Sequence, residues 1–470
     1  MTLQFYNDLS KKIEVFKPIN KNKVLIYVCG PTCYSDIHIG NARTFLTFDL
    51  LKKYLKYKGY KVVHVQNITD VGHLTEDEAR KDKVVAQAEK EHITPLEISK
   101  KYSERYFEVL KKLDIEKADF NPKATENIKE ILEMAQKLIK LGYAYAVNGS
   151  IYFRTRKFKD YGKLCGNILE NMYAGARIEV NKEKEDPYDF ALWKNASPEH
   201  AMKWKSKFGL GYPGWHIECS VMALKHLGKT IDIHGGGKDL IFPHHENEIA
   251  QSEAYNKKKF VNYWIHSEFL KINNEKMSKS LGNFLTAEDA IKKWGSNVVR
   301  YFLISHHYRT EINITDEAVE SKKKELERLQ EFILRLKEVK GKKGKDIKKH
   351  LAKLKRDFEK HLDLDLNISA ALGSLFEFVS ETYKLMNKNL LIKKNSDEIL
   401  KFLKKIDAVL GVLDFKEKKI DQKVLKLIKE REDARKRKDF STADNIRKEL
   451  KSLGIIVEDT KEGPRWKLEK

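Results

Sequence analysis

The chain has 470 residues, with 91 Lys and Arg against 69 Asp and Glu, a formal net charge of +22 at pH 7. At 41% hydrophobic and 10% aromatic it holds enough apolar material for several cores, which excludes wholesale disorder. The longest apolar runs, such as Val24 to Cys29, fall far short of the ~20 residues a membrane-spanning helix needs. The opening MTLQFYNDLSKK lacks the basic-then-apolar form of a secretion signal, and four cysteines make no disulfide framework. A reduced, cytoplasmic protein is therefore expected. The surplus charge asks for a polyanion: nucleic acid, an anionic membrane surface or a phosphate-rich ligand.

In chain order, Val24 to Cys29 predicts a buried strand broken by Gly30-Pro31-Thr32. A helix follows from about Gly40, with Phe45, Phe48, Leu51 and Leu55 at helical spacing, and Tyr60 to Asn67 predicts a second strand. This βαβ pattern implies a parallel α/β sheet. From about Lys117 to Tyr212 the pattern turns mixed, with a helix over Ile128 to Leu141 and a strand at Ser150 to Phe153, as in an insertion into the sheet domain. Sheet signals resume at Thr230 to His234. Beyond about Glu311 the sequence is helical, and residues 321–360 carry 16 Lys and Arg against 7 Asp and Glu. From about Asp421, Ser441 and Asp444 predict a capping box and Gly454 a helix end, with Ile455-Ile456-Val457 and Arg465-Trp466-Lys467 forming a small β pair.

Two segments have the chemistry of nucleotide machinery. His38-Ile39-Gly40-Asn41 falls where the first strand gives way to the helix, whose N-terminus presents free N–H groups and a positive dipole end to a phosphate. His38 and Asn41 can add side-chain donors. About 240 residues later, Lys276-Met277-Ser278-Lys279-Ser280 sets two lysines in a short polar loop suited to a triphosphate and a departing pyrophosphate. A metal set is also apparent. Cys29 ends the first strand, Cys219 lies in Gly214-Trp215-His216-Ile217-Glu218-Cys219, and His244 and Glu248 stand four apart after Pro243 at a helix start. Two thiolates, an imidazole and a carboxylate suit tetrahedral zinc. Cys33 competes through Cys29-x-x-x-Cys33, Cys165 reads as structural, and His216, His234, His245 and Glu246 are candidates for outer contacts.

The paired phosphate segments resemble the two signatures of the class I aminoacyl-tRNA synthetases. Further text resembles the cysteinyl-tRNA synthetase family within that class: Tyr27 to Thr32, Asp186 to Lys194, Gly214 to Ser220, Asp232 to Leu240, Phe242 to Ser252, Lys276 to Asn283, and Ala434 to Trp466. The resemblance implies an α/β, Rossmann-type catalytic domain in two halves (1–116 and 213–284) around an inserted connective domain (117–212). A stem-contact-type helical linker (285–335), a helical bundle (336–420) and an anticodon-binding α+β module (421–470) complete the implied organisation. It implies activation of L-cysteine by ATP with Mg2+, transfer to the terminal adenosine of tRNA-Cys, and a monomer. One Zn2+ on Cys29, Cys219, His244 and Glu248 would take the substrate thiolate, with the shell expanding to five or Glu248 loosening. Thr69 and Trp215 match cysteine-pocket positions. His38, Gly40, Asn41, Gly235, Gly236, Asp239 and Lys279 match ATP-binding ones, and Lys276 and Lys279 the loop that stabilises the activation transition state.

Three positions depart from the family pattern. Asn41 stands where a second histidine is usual, Cys33 where an apolar residue is, and the stretch from Val71 to Lys83 is long. Rival readings are a cysteine ligase of thiol biosynthesis with an amino-sugar acceptor, a silent tRNA-binding paralogue and a zinc hydrolase. The first is disfavoured by the C-terminal tail, the second by the intact phosphate and metal residues, and the third by the want of a histidine-rich triad with its own base.

Overall fold

The computed structural model describes residues 2–71, 83–166, 183–197, 200–278, 282–416, 422–460 and 463–468. Its centre is a four-stranded parallel sheet built from β1 (Lys23–Val28), β2 (Lys61–Gln66), β3 (Ile231–Gly237) and β4 (Val261–Ser267). The spatial order is β4-β3-β1-β2, with every neighbouring pair parallel. Helix α1 (Ile39–Tyr57) links β1 to β2, so the chain moves one way from β1 and the later strands add on its other side. The order reverses between β1 and β3. In parallel sheets a ligand crevice opens at such a point, outside the carboxyl ends of the strands. Cys29 ends β1 there, and Gly235 to Gly237 end β3.

Between β2 and β3 lies the insertion, whose five-stranded antiparallel sheet runs Ala144–Val147, Ser150–Phe153, Phe190–Asn195, Gly209–Pro213, Trp204–Ser206. The return path is α2 (Trp215–Leu227), and α3 (Glu246–Asn256) joins β3 to β4. These two helices serve two cores. Val221 and Ala250 pack with Ile131, Phe153 and Trp193 of the insertion, while Met222, Cys219 and Ile249 pack with Leu25, Ile231 and Trp264 of the parallel sheet. Both helices are buried on several faces, α3 with polar side chains such as Glu246, Asn247 and Gln251 among those enclosed. Polar bonds run between the two helices, from Gln251 Nε2 and Ser252 Oγ to Ser220 Oγ at 2.8 and 2.9 Å. Side chains on this pair are therefore held in a dry and rigid setting.

After β4, strands Leu270–Ile272, Glu275–Lys276 and Ile312–Ile314 make a small mixed sheet. Helices Asp316–Glu338, Lys348–Asp363, Ile368–Asn387 and Lys393–Leu410 follow, in line with the helical periodicity. The chain divides into two compact units, Met1–Leu413 and Asp414–Lys470. In the second, Gln422–Lys436 and Phe440–Ser452 precede the hairpin Ile455–Thr460 and Gly463–Leu468. Gly454 ends the helix with φ 72° as expected. The cap at its start is different: Asp439, not Ser441, accepts the N–H of Thr442 at 3.1 Å, because the helix begins one residue before Ser441. Among the described residues no helix is long and apolar enough to cross a membrane.

Candidate active site and metal centre

His38 is the N-cap of α1. Its Nδ1 accepts the N–H of Asn41 at 3.2 Å, and Asn41 Oδ1 accepts the N–H of His38 at 3.2 Å, a reciprocal cap. A Cβ on Gly40 would lie 2.9 Å from His38 Nδ1, so glycine is what lets the ring fold over the helix start. The second signature reaches the same place through backbone. Ile39 N–H donates to Leu285 O at 3.0 Å, Ala287 N–H to Ile37 O at 2.9 Å, and the Phe284 ring meets His38 edge-on at 5.8 Å. Lys276 ends its strand exposed. The Asn283 side chain bridges the loop, accepting from Ser278 N–H at 2.8 Å and donating to Lys276 O at 3.2 Å. Lys279 lies outside the described residues, as do residues 72–82 of the atypical stretch.

A cleft of about 250 Å³ opens beside this helix start, lined among others by Asp36, His38, Asn41, Lys83, Trp215 and Phe284. Trp215, the first residue of α2, also stacks on His244 with ring centroids 4.3 Å apart. Thr69 is buried, taking a bond from Asn67 Nδ2 at 2.9 Å and reaching Glu218 Oε2 at 3.5 Å. Gly235 and Gly236 sit at the end of β3 with Asp239 exposed just beyond. A Cβ on Gly235 would meet Ile265 O and the Phe48 ring at 2.2 Å, so that glycine is required by packing in the sheet.

Behind Trp215, Cys29, Cys219, His244 and Glu248 each bring one donor atom to within 4.8 Å of the others, all buried. Cys29 Sγ is 3.9 Å from Cys219 Sγ and 3.6 Å from Glu248 Oε1, and His244 Nε2 is 3.1 Å from the same oxygen. A tetrahedral zinc would space two sulfurs by about 3.8 Å, sulfur and oxygen by about 3.5 Å, and nitrogen and oxygen by about 3.3 Å. These donors fit. A second set, Cys29, His234, His245 and Glu248, also converges, but it divides the carboxylate: His234 holds Oε2 at 2.9 Å while Cys29 approaches Oε1. His234 thus reads as a support for Glu248. His216 Nδ1 meets His244 Nδ1 at 2.9 Å, and His245 continues through His266 to Asp8 at 2.8 and 2.7 Å. Sequence reasoning missed His266 and Asp8, which carry no local motif. Cys33 is elsewhere, its Sγ on Pro31 O at 3.7 Å, and Cys165 Sγ meets Gly162 O at 3.6 Å.

Phe242 is extended at φ −137°, ψ 135°, as crowding by a following proline favours, and it breaks the chain just before the helical turn Pro243–His245, which runs on into α3. His244 and Glu248 therefore stand one turn apart, as expected. The electrostatics are those of a cation site. Burial, and then Cys219 and Glu248, push the Cys29 thiol well above its usual range. Cys219 is brought down to about 7 by the bond from Cys29 with help from His244. Glu248 is held at about 2, burial being outweighed by His234 and His244. Two thiolates and a carboxylate cannot all ionise in one dry pocket without a positive partner.

Residues 15–324 match the family described as the class I (C) tRNA synthetase catalytic domain, and residues 417–466 the cysteinyl-tRNA ligase anticodon binding domain. The chain is 46% identical to the cysteine–tRNA ligase of Geobacillus sp. (strain WCH70), covering 99% of both chains. It is 44% identical to that of Caldicellulosiruptor saccharolyticus, over 98% of this chain and 99% of the relative. In fold it is similar to methionyl-tRNA synthetase of Mycobacterium tuberculosis, with a TM-score of 0.60 and 14% identity over 83% of this chain and 92% of that one. The chain belongs to the cysteinyl-tRNA synthetases, class I enzymes that join cysteine to its tRNA.

Proposed function

We propose that this chain activates L-cysteine with ATP and Mg2+ and esterifies it to tRNA-Cys, selecting cysteine through Zn2+ at Cys29, Cys219, His244 and Glu248. The observation that supports the metal assignment is the convergence of the four donors, with Cys29 and His244 spaced as in a tetrahedral site from one Glu248 oxygen and Cys219 likewise from Cys29, beside Trp215. Bound zinc would take the substrate thiolate as a ligand and pass over serine's hydroxyl, a poor ligand that would first have to ionise. Trp215 packs between this centre and the cleft, and so would bring the cysteine backbone toward the start of α1. Because His38 accepts at Nδ1, its neutral ring carries the proton on Nε2, the donor it would offer a phosphate oxygen. Asn41 spends Oδ1 on the cap and keeps its amide N–H groups for the same purpose. This gives Asn41 a role without the charge of the usual histidine. Lys276 and Lys279 would hold the pyrophosphate, Gly40, Gly235, Gly236 and Asp239 the adenosine side, and Thr69 the pocket.

The match at residues 417–466 favours a tRNA acceptor over an amino sugar. We place the enzyme in the cytoplasm as a monomer. Pyrophosphate exchange with cysteine and with serine, with zinc measured on the same sample, tests the reading. Zinc near one per chain and exchange driven by cysteine alone are expected, and equal stimulation by serine would overturn it.

A further inference from the structure

Arg43 is a buried arginine on α1, five residues and so about 7.5 Å along the axis from His38. No carboxylate pairs with it among the described residues. Its guanidinium instead donates to carbonyl oxygens of two separate stretches. On one side are Glu268 O, at 2.8 Å, and Phe269 O. On the other are His307 O and Tyr308 O, each at 3.4 Å, and Thr310 O. Both stretches lead into adjacent strands of one sheet, Leu270–Ile272 and Ile312–Ile314, which pair in parallel at Leu270 and Ile312. Lys276 lies on that sheet too, opposite Lys271. One side chain therefore joins the helix whose start bears His38 and Asn41 to the sheet that presents Lys276.

A carbonyl clasp of this kind is more than surface packing. Burying a guanidinium with no carboxylate in contact is costly, and burial pulls Arg43 down to about 10 against the more distant pull of Glu268 and Glu311. The cost is offset because planar N–H donors fan across carbonyls from both stretches. We propose that Arg43 is a positioning residue for the activation step, setting the distance between the phosphate-binding start of α1 and the sheet that carries Lys276. The inference rests on the roles assigned above to His38 and Lys276. Pyrophosphate departs in adenylate formation and takes no part in the later transfer to tRNA, so a Lys276 that holds it, and Arg43 through Lys276, would act on the first step.

The test uses full-length Arg43→Met and Arg43→Lys proteins, with Arg300→Met as the comparison. Arg300 is equally buried and donates to Leu410 O, Leu113 O, Asp114 O and Asp49 Oδ2, anchoring α1 at a site away from the Lys276 sheet. Arg43→Met is expected to slow pyrophosphate exchange about 100-fold in kcat, the scale of a 1 Å misplacement. KM for cysteine should stay within about twofold and single-turnover transfer from preformed cysteinyl-adenylate within about threefold. Arg43→Lys, which can reach only some of the carbonyls, should fall between, and it carries the test if the methionine variant does not fold. Arg300→Met should lower the melting temperature while leaving exchange within about threefold. Wild-type exchange in Arg43→Lys and Arg43→Met overturns the proposal, and so does equal slowing of exchange and transfer. Loss of zinc or exchange with serine in the unmodified enzyme would instead count against the reading of the site itself.

Discussion

The Trp215 ring lies over His244, centroids 4.3 Å apart and planes 29° from parallel, so one residue faces both the cleft and the metal-type cluster. A stack of this kind contributes about 0.5–1.5 kcal/mol beyond area burial. Trp215→Ala should raise KM for cysteine about tenfold in pyrophosphate exchange with bound zinc retained, and Trp215→Phe should recover most of it. Zinc loss in the alanine variant would make Trp215 a structural support for the centre instead.

Cys219→Ser should abolish stoichiometric zinc and, with it, the preference for cysteine over serine. His234→Gln is the finer probe. His234 holds the second oxygen of Glu248, and removing such an outer partner costs about 10–100-fold in metal affinity. Competition with a graded chelator series reads both. If His234 were itself a ligand in place of Cys219, the two variants would exchange behaviours.

His38 has two separable duties. His38→Ala should cost about 1 kcal/mol of stability through the lost cap, together with most of the activation rate. His38→Asn restores a cap acceptor but not the imidazole, so it should recover the stability and leave activation slow. Thermal unfolding and exchange assays on the same preparations distinguish the two.

His64, at the middle of β2, is buried, and neither ring nitrogen has a hydrogen-bond partner among the described residues. Burial, and then Lys52 and Lys56, lower it to about 3. In the unfolded chain it titrates near 6.5, so below that value the unfolded state binds the extra proton. Its contribution is therefore complete above about pH 6.5 and is lost as the pH falls toward 3. For His64→Leu, the drop in unfolding free energy between pH 7 and pH 5 should be about 2 kcal/mol smaller than in the parent. An unchanged drop would mean that His64 is not protonated on unfolding.

The parts of this molecule legible in the sequence were those with local cause. Alternation and period exposed the βαβ unit, since Phe45, Phe48, Leu51 and Leu55 all face the core. Cys29, Cys219, His244 and Glu248 could be named because thiol, imidazole and carboxylate together suit zinc and because their positions match the ligand positions of the family the sequence resembles. What brings His234, His245 and His266 together is tertiary: they come from β3, a turn and β4, whose pairing no short pattern encodes. Arg43 was hidden for another reason. Its acceptors are backbone carbonyls, which every residue has, so no side-chain type marks them.

Cys29 and Cys219 are 190 residues apart, and Glu248 lies 219 residues from Cys29. Translation at about 5–20 residues per second puts roughly 10–45 s between the first donor and the last leaving the ribosome's active centre. For most of that interval Cys29 is a thiol at the end of a strand whose neighbour β3 has yet to be made. The proposed donor set is thus assembled late, and metal binding that uses all four donors would follow most of the synthesis of the catalytic half.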